Sequence, residues 1–375
     1  MRTIRQWLRN LLIWLPGEWG ETVVLPRVRY AYSRLPFRDF RRRRYAASEA
    51  KRIRSAISGR VDRFTIVLDY KVAGNSYGDC LSTLGIARYV ISKQCFVNFY
   101  LANTELLYHD RNAGLGDREK VSYFINDVTT IAKALLDPNL SSVCLISDEA
   151  LYELVHRESN DFLLFKDFTI NGRFFIGDCF NVLNNLMANS SESEQDQVLY
   201  SACEFKKHVP DTFSEKLYVS WGCRYPLNSM DYRYTTADEF LKIHAYLRAR
   251  FPNRKILIVS DAPGCHYYSC LAESLQITDL LFSKDYSTEF LGDMALIMNS
   301  DFFFWFRAGA IDVIPRFSRL PYEMLGHNCH ELMWDKKRLT SWQGDNQKNV
   351  NIGVLQPLDD RSADLERMGI DVGGI

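Results

Sequence analysis

Lys255-Ile-Leu-Ile-Val-Ser260-Asp261 holds four consecutive aliphatic residues between a lysine and a Ser-Asp pair. A short apolar run closed by polar residues suits a strand covered on both faces, as in a parallel sheet. Upstream, Thr236-Ala-Asp-Glu239 is a capping box that opens a helix ending near Phe251-Pro252. Before it, residues 216–221 (KLYVSW) read as another strand. Downstream, a turn containing Pro263 and Gly264 leads to a helix from about His266 to Leu275. A short strand at 279–282, a helix at 288–299, a strand at 301–306 (DFFFWF) and a helix start at 309–317 follow. Strands alternating with helices of this length imply a parallel sheet with crossover helices.

Further out toward the N-terminus the alternation repeats. Residues 64–70 (FTIVLDY) read as a strand, 74–79 (GNSYGD) as a turn, 80–93 as a helix and 95–101 (CFVNFYL) as a strand. A helix at 120–136, a strand at 142–146 and a helix at 149–157 come next, with another strand and helix at 174–176 and 180–187. The polar stretch 189–197 (NSSESEQDQ) reads as a boundary or exposed loop. The expectation is α/β, with two Rossmann-like domains facing a cleft and a basic amphipathic N-terminal segment. Its units are a membrane-surface segment at 1–60, an acceptor domain at 61–200, a nucleotide-sugar domain at 201–345 and a tail at 346–375.

The chain has 375 residues, 47% of them hydrophobic, and 46 basic against 46 acidic side chains. That composition excludes wholesale disorder, collagen and coiled coil, and a net charge of zero gives no argument for nucleic acid. Nine cysteines without a C-x-x-C pair argue against a disulfide scaffold or a structural zinc site, and fit a reducing cytoplasm. His327 and His330 lack the remaining ligands of a metal site, so no metal is expected.

Charge is nevertheless uneven. Residues 1–60 carry 15 Lys/Arg against 4 Asp/Glu. Ile4, Trp7, Leu8, Leu11, Leu12 and Leu15 share a helical face, with Arg2, Arg5 and Arg9 off it. A second basic block comprises Arg38, Arg41 to Arg44, Lys51, Arg52 and Arg54. This pattern suits a peripheral attachment of residues 1–54 to the inner face of a membrane. Packing of the same helix on the protein's own core is the alternative. No stretch reaches a membrane-spanning length of about 18 apolar residues.

In open α/β sheets, ligands lie beyond the carboxyl ends of the strands. Four loops fall there. Gly74-Asn75-Ser76-Tyr77-Gly78-Asp79 offers glycines for close backbone approach, and Asp79 as helix cap or general base. Arg224, after Ser220-Trp-Gly-Cys, suits bidentate binding of a diphosphate. Ser260 and Asp261 could meet a ribose or base, or cap a helix. Arg307-Ala308-Gly309 opens a helix start able to hold phosphate, and Glu323 in the next loop could accept ribose hydroxyls. His109 and Asp117 mark a further polar loop that could hold an acceptor or supply a base.

Taken in order, these motifs resemble those of GT-B glycosyltransferases. Tyr218-Val-Ser-Trp-Gly-Cys-Arg224, Asp231-Tyr-Arg233 and Ile258-Val-Ser-Asp261 resemble the fucosyltransferase-like branch, where the arginine contacts the nucleotide diphosphate. Trp221 and Cys223 depart from that branch's H-x-R-R-x-D pattern. Ser76-Tyr-Gly78-Asp79 looks like the S-x-G-D loop of bacterial heptosyltransferases, whose aspartate is the base. The resemblance covers about residues 64–330. It implies transfer from a nucleotide-sugar donor to a glycan or lipid-linked glycan, without metal or cofactor. A non-catalytic nucleotide- or glycan-binding scaffold and a nucleotide-sugar epimerase are the rival readings.

Overall fold

A computed structural model describes residues 36–59, 61, 63–69, 77–102, 118–147, 149–150, 153–154, 162–166, 178–215, 217–223, 225, 235–287, 289–306, 314, 317–325 and 347–350. Two parallel sheets organise them. The first contains β1 (Arg63–Asp69), β2 (Phe96–Ala102), β3 (Ser141–Ile146) and β4 (Phe162–Lys166), in the order β3-β2-β1-β4. The second contains β5 (Tyr218–Gly222), β6 (Lys255–Val259), β7 (Leu280–Phe282), β8 (Phe302–Phe306), β9 (Tyr322–Leu325) and β10 (Gln347–Val350). Its order is β10-β9-β8-β5-β6-β7. Counted within its own half, each sheet starts at an inner strand, winds outward through two neighbours, then returns to the other side. This is the doubly wound arrangement.

In the first half α1 (Pro36–Ser58) precedes β1, α2 (Tyr77–Ile91) and α3 (Arg118–Leu135) fill the crossovers to β2 and β3, and α4 (Asp178–Met187) follows β4. A connector of α5 (Glu192–Val198) and α6 (Ala202–Phe205) leads to α7 (Ala237–Arg250), α8 (Ala262–Ser274) and α9 (Phe290–Met298). Every residue of β5 and residues Ile256 to Val259 of β6 are buried, as continuous apolar runs in a parallel sheet should be.

Several expectations from the sequence need correction. The stretch 189–197 is not an exposed loop. Ser191 and Glu194 form a capping box that opens α5, and Gln195 and Val198 turn inward. Its polar residues satisfy helix ends, which composition alone does not distinguish from a linker. The first sheet's fourth strand is Phe162–Lys166, ahead of the expected 174–176, which lies outside the described residues. Leu320 to Glu323 is not a plain loop, since Tyr322 opens β9. The tail from 346 supplies β10, paired parallel to β9. The helix after β6 begins at Ala262, because Asp261 caps it and Pro263 suits its first turn. Nor is the segment 1–60 wholly a surface arm. Ala46, Ala50 and Ile53 of α1 are fully buried in the core, and Arg54 donates to the Asn185 carbonyl at 3.1 Å.

One apolar core joins the sheets. It contains Phe64, Ile66 and Phe99 from the first sheet, and Leu257, Val259, Phe303 and Tyr322 from the second. The connector contributes Leu199, Tyr200, Phe205 and Phe213. Direct contacts cross as well. Tyr200 donates through its hydroxyl to the Leu81 carbonyl and through its amide to the Phe317 carbonyl, at 2.9 and 2.8 Å.

Candidate functional site

Strands with opposite winding neighbours leave a crevice beyond their carboxyl ends. Here that switch falls between β1 and β4, and again between β5 and β8. Arg224 follows Gly222, the last residue of β5, by two positions, and Arg307 follows Phe306, the last of β8, by one. Both lie outside the described residues, as do Gly74, Asn75, Ser76, His109, Asp117, Ala308 and Gly309. Asp79 is the third residue of α2, which starts earlier than the sequence suggested, and Gly78 is buried beside it.

At the end of β6, Ser260 is buried and Asp261 is exposed. Asp261 Oδ1 accepts the Gly264 amide at 2.9 Å and so caps α8. The Ser260 hydroxyl donates to the same oxygen at 3.4 Å. A Cβ on Gly264 would lie 2.0 Å from Ser260 Oγ and 2.7 Å from Asp261 Oδ1, so this compact turn needs glycine. Glu323 belongs elsewhere. It is the second residue of β9, and its carboxylate is occupied by the Tyr246 hydroxyl at 2.5 Å and by Arg250. Both partners sit in the second half of α7, which runs back toward the amino ends of the strands. Glu323 is therefore a mid-strand residue, level with Phe304 of β8 and held by α7, and not part of a loop beyond the carboxyl ends of the strands.

A cluster that the sequence reading missed lies between the halves. Tyr77, the first residue of α2, donates its hydroxyl to Asp127 Oδ2 on α3 at 2.7 Å. The Tyr77 ring packs on Phe290, the first residue of α9, with centroids 4.2 Å apart. Just beyond β7, Lys284 donates to Asp293 Oδ2 of α9 at 2.5 Å. Asp293 is 4% exposed, and its Oδ1 has no hydrogen-bond partner among the described residues. Burial lifts the Asp293 carboxyl to about 6, against the pull of Lys284. Burial likewise raises Asp127, while the hydrogen bond from Tyr77 opposes it. The Tyr77 phenol is pushed up, first by burial and then by Asp127.

Beside this cluster is an open depression of about 370 Å³, whose lining includes His208, Lys284, Tyr286, Ser287 and Glu289. Burial holds His208 below the ordinary imidazole range, with Lys207 adding to the effect. Its Nε2 is buried without a partner among the described residues. The depression thus offers a neutral imidazole, a lysine and hydroxyl groups to a polar ligand, with carboxylates able to move protons nearby. One sequence signal marks it. Asp293 stands in an otherwise uncharged, mostly apolar helix, and a lone carboxylate there needs a partner. Among the described residues, no group of three or more His, Cys, Asp or Glu could hold a metal ion.

No protein-family model matches the chain, and no curated protein does. Solved structures offer distant likenesses. A glycosyl transferase of family 9 from Veillonella parvula is 13% identical, over 82% of this chain and 89% of that one, with a TM-score of 0.39. The E. coli ADP-heptose LPS heptosyltransferase II is 11% identical, over 82% and 99%, with a TM-score of 0.36. A UDP-GlcNAc 2-epimerase from Neisseria meningitidis bound to UDP-GlcNAc is 10% identical, over 82% and 91%, with a TM-score of 0.33. Likenesses this distant leave the reaction to be argued from the chain's own residues.

Proposed function

We propose that this chain is a GT-B glycosyltransferase that moves a sugar from a nucleotide-sugar donor to a surface or lipid-linked glycan. The observation that carries the reading is the pair of doubly wound parallel sheets, with the start of α2 and the loop after β7 meeting at one polar cluster. Such an arrangement suits two substrates brought from opposite sides of a crevice.

In this reading the second half, from about 201 to 345, holds the donor, and the half from about 61 to 200 holds the acceptor. Arg224 and Arg307 follow the two strands that flank the second switch point, where a diphosphate would rest. With the helix start that the sequence suggests at Gly309, they would stabilise the charge on the leaving nucleotide diphosphate. Asp79, in the first turn of α2, is the proposed base for the acceptor hydroxyl. Cationic side chains and a helix start could carry the leaving charge without a metal.

Thermal-shift screening against GDP, UDP, ADP, CDP and CMP tests donor binding, since a ligand at 100 times its Kd adds roughly 2.7 kcal/mol. Stabilisation by none of them would count against the reading. Asp79→Asn should keep the nucleotide shift and lower transfer by roughly 10²–10⁴-fold, the usual loss of general-base help. Near-normal transfer in that variant would leave Asp79 as a carboxylate in the first turn of α2, which starts two residues before it, so that Asp79 is not the N-cap the sequence allowed. Donor turnover without any acceptor would favour an epimerase instead.

A further inference from the structure

We propose that the outward face of α1 is a lipid-docking face that lies along anionic headgroups. The proposal extends the surface-acting part of the functional reading, and its test measures lipid binding rather than transfer.

The helix has two distinct sides. Ala46, Ala50 and Ile53, spaced four and three apart, form its core face and are fully buried. Arg44, Ser48, Lys51 and Ser55, spaced four, three and four apart, form a second stripe, and all are exposed. An offset of two residues turns that stripe more than half a turn from the core face. Arg44 and Lys51 pair with no acid among the described residues, and Arg52 at the stripe's flank is joined to Glu49 at 2.7 Å. The inner cation, Arg54, is engaged with the Asn185 carbonyl.

A helix anchored along one side and cationic along the other fits a flat anionic surface better than a groove. The exposed residues of positions 44–58 include no aromatic platform on which nucleic-acid bases could stack. Upstream, residues 1–15 supply a second signal in sequence, with Trp7 and leucines on one helical face. Stable peripheral attachment generally takes two such signals. Each cation near an anionic leaflet strengthens binding about fivefold, the equivalent of roughly 1 kcal/mol.

The experiment is co-sedimentation of the full chain with phosphatidylcholine vesicles, with and without phosphatidylglycerol. The protein should pellet with the anionic vesicles alone and be released by high salt. The double variant Arg44→Ala/Lys51→Ala should bind about 25-fold more weakly with an unchanged melting temperature. Arg54→Ala removes a cation from the inner side, so it should lower the melting temperature and keep lipid affinity within a few-fold. Equal binding to neutral vesicles, or full binding by the double variant, would overturn the proposal. So would a loss in Arg54→Ala as large as that in the double variant, or RNA binding without vesicle binding. A nucleotide thermal shift on the same samples reports the transferase reading separately.

Discussion

Asp293 occupies the fourth position of FLGDMALIM, where every other residue of the helix is uncharged. Burial disfavours its ionised form, and Lys284 recovers only part of that cost, which leaves the carboxyl near 6. The ordinary aspartate value is 3.8, so between about 4 and 6 the folded protein binds a proton that the unfolded chain has already released. Stability from this group is therefore fully present below 3.8 and is lost as pH rises through about 6. Asp293→Asn is neutral throughout and lacks this dependence. Melting curves from pH 4 to 7 should show the wild type losing stability relative to the variant across that window. A constant gap would place the titration elsewhere. Glu194 shows the opposite sign. Its hydrogen bond from Lys93 holds it down at about 2, so its contribution is present above 4.5 and lost as pH falls toward 2. The Glu194 side chain is 41% exposed, and solvent screening keeps that contribution small.

At the scale of elements, Arg88 on α2 fastens two helix ends and a third helix, α6. Its guanidinium, 8% exposed, donates to the Leu135 carbonyl at the end of α3, and to the Val198 and Leu199 carbonyls at the end of α5. It also pairs with Glu204 of α6 at 2.5 Å and lies over the Tyr200 ring. Carbonyls at helix ends lack intrahelical donors, and a planar fork of five N–H groups can serve several at once. Arg88→Met would orphan these acceptors and should cost about 3–5 kcal/mol, read as a lower urea midpoint. Arg88→Lys should recover less than half, since an ammonium cannot reach carbonyls on three sides. A loss under about 1 kcal/mol in the methionine variant would show that water replaces the clamp. Only half of this device was legible in the sequence: a lone cation in the apolar run Leu84–Ile91 signals a buried partner, but the carbonyls it serves lie 47 to 111 residues away in the chain. The strands were legible, since FTIVLDY and KILIVS hold long apolar runs between polar ends. The Thr236 capping box was equally plain, and it forms as read, with Thr236 Oγ1 accepting the Glu239 amide. The Tyr77–Asp127 and Lys284–Asp293 pairs were hidden because tertiary contacts bring their partners together. Asp127 is fifty residues from Tyr77 in the chain.

For the molecule as a whole, the decisive feature is where the core lies. The expectation from the sequence is two Rossmann-like domains, 61–200 and 201–345, with the polar stretch 189–197 as a boundary or exposed loop. The connector that follows this stretch carries Val198, Leu199, Tyr200, Phe205 and Phe213 inward, and among the described residues one core cluster runs through it into both sheets. The Phe180 ring of α4 packs at a tilt against Phe317, with centroids 5.1 Å apart, and Arg319 reaches Asp196 of the connector at 2.9 Å. A second cluster, built on Trp221, Phe240 and Tyr268, fills only the far side of the second sheet. Neither half can unfold without exposing apolar surface of the other, and each Å² so exposed costs roughly 25 cal/mol, which couples the two transitions. Calorimetry should therefore give one cooperative transition, with calorimetric and van't Hoff enthalpies in agreement. Tyr200→Ala strikes this shared region, removing a fully buried ring and two crossing anchors, the hydroxyl bond to Leu81 and the packing under Arg88. Its cost should be about 3–5 kcal/mol, the range for buried aromatic truncation. It should also split or broaden the transition, because the halves then share less surface. Two resolved peaks in the wild-type protein would mean that the sheets fold separately and that the connector merely tethers them.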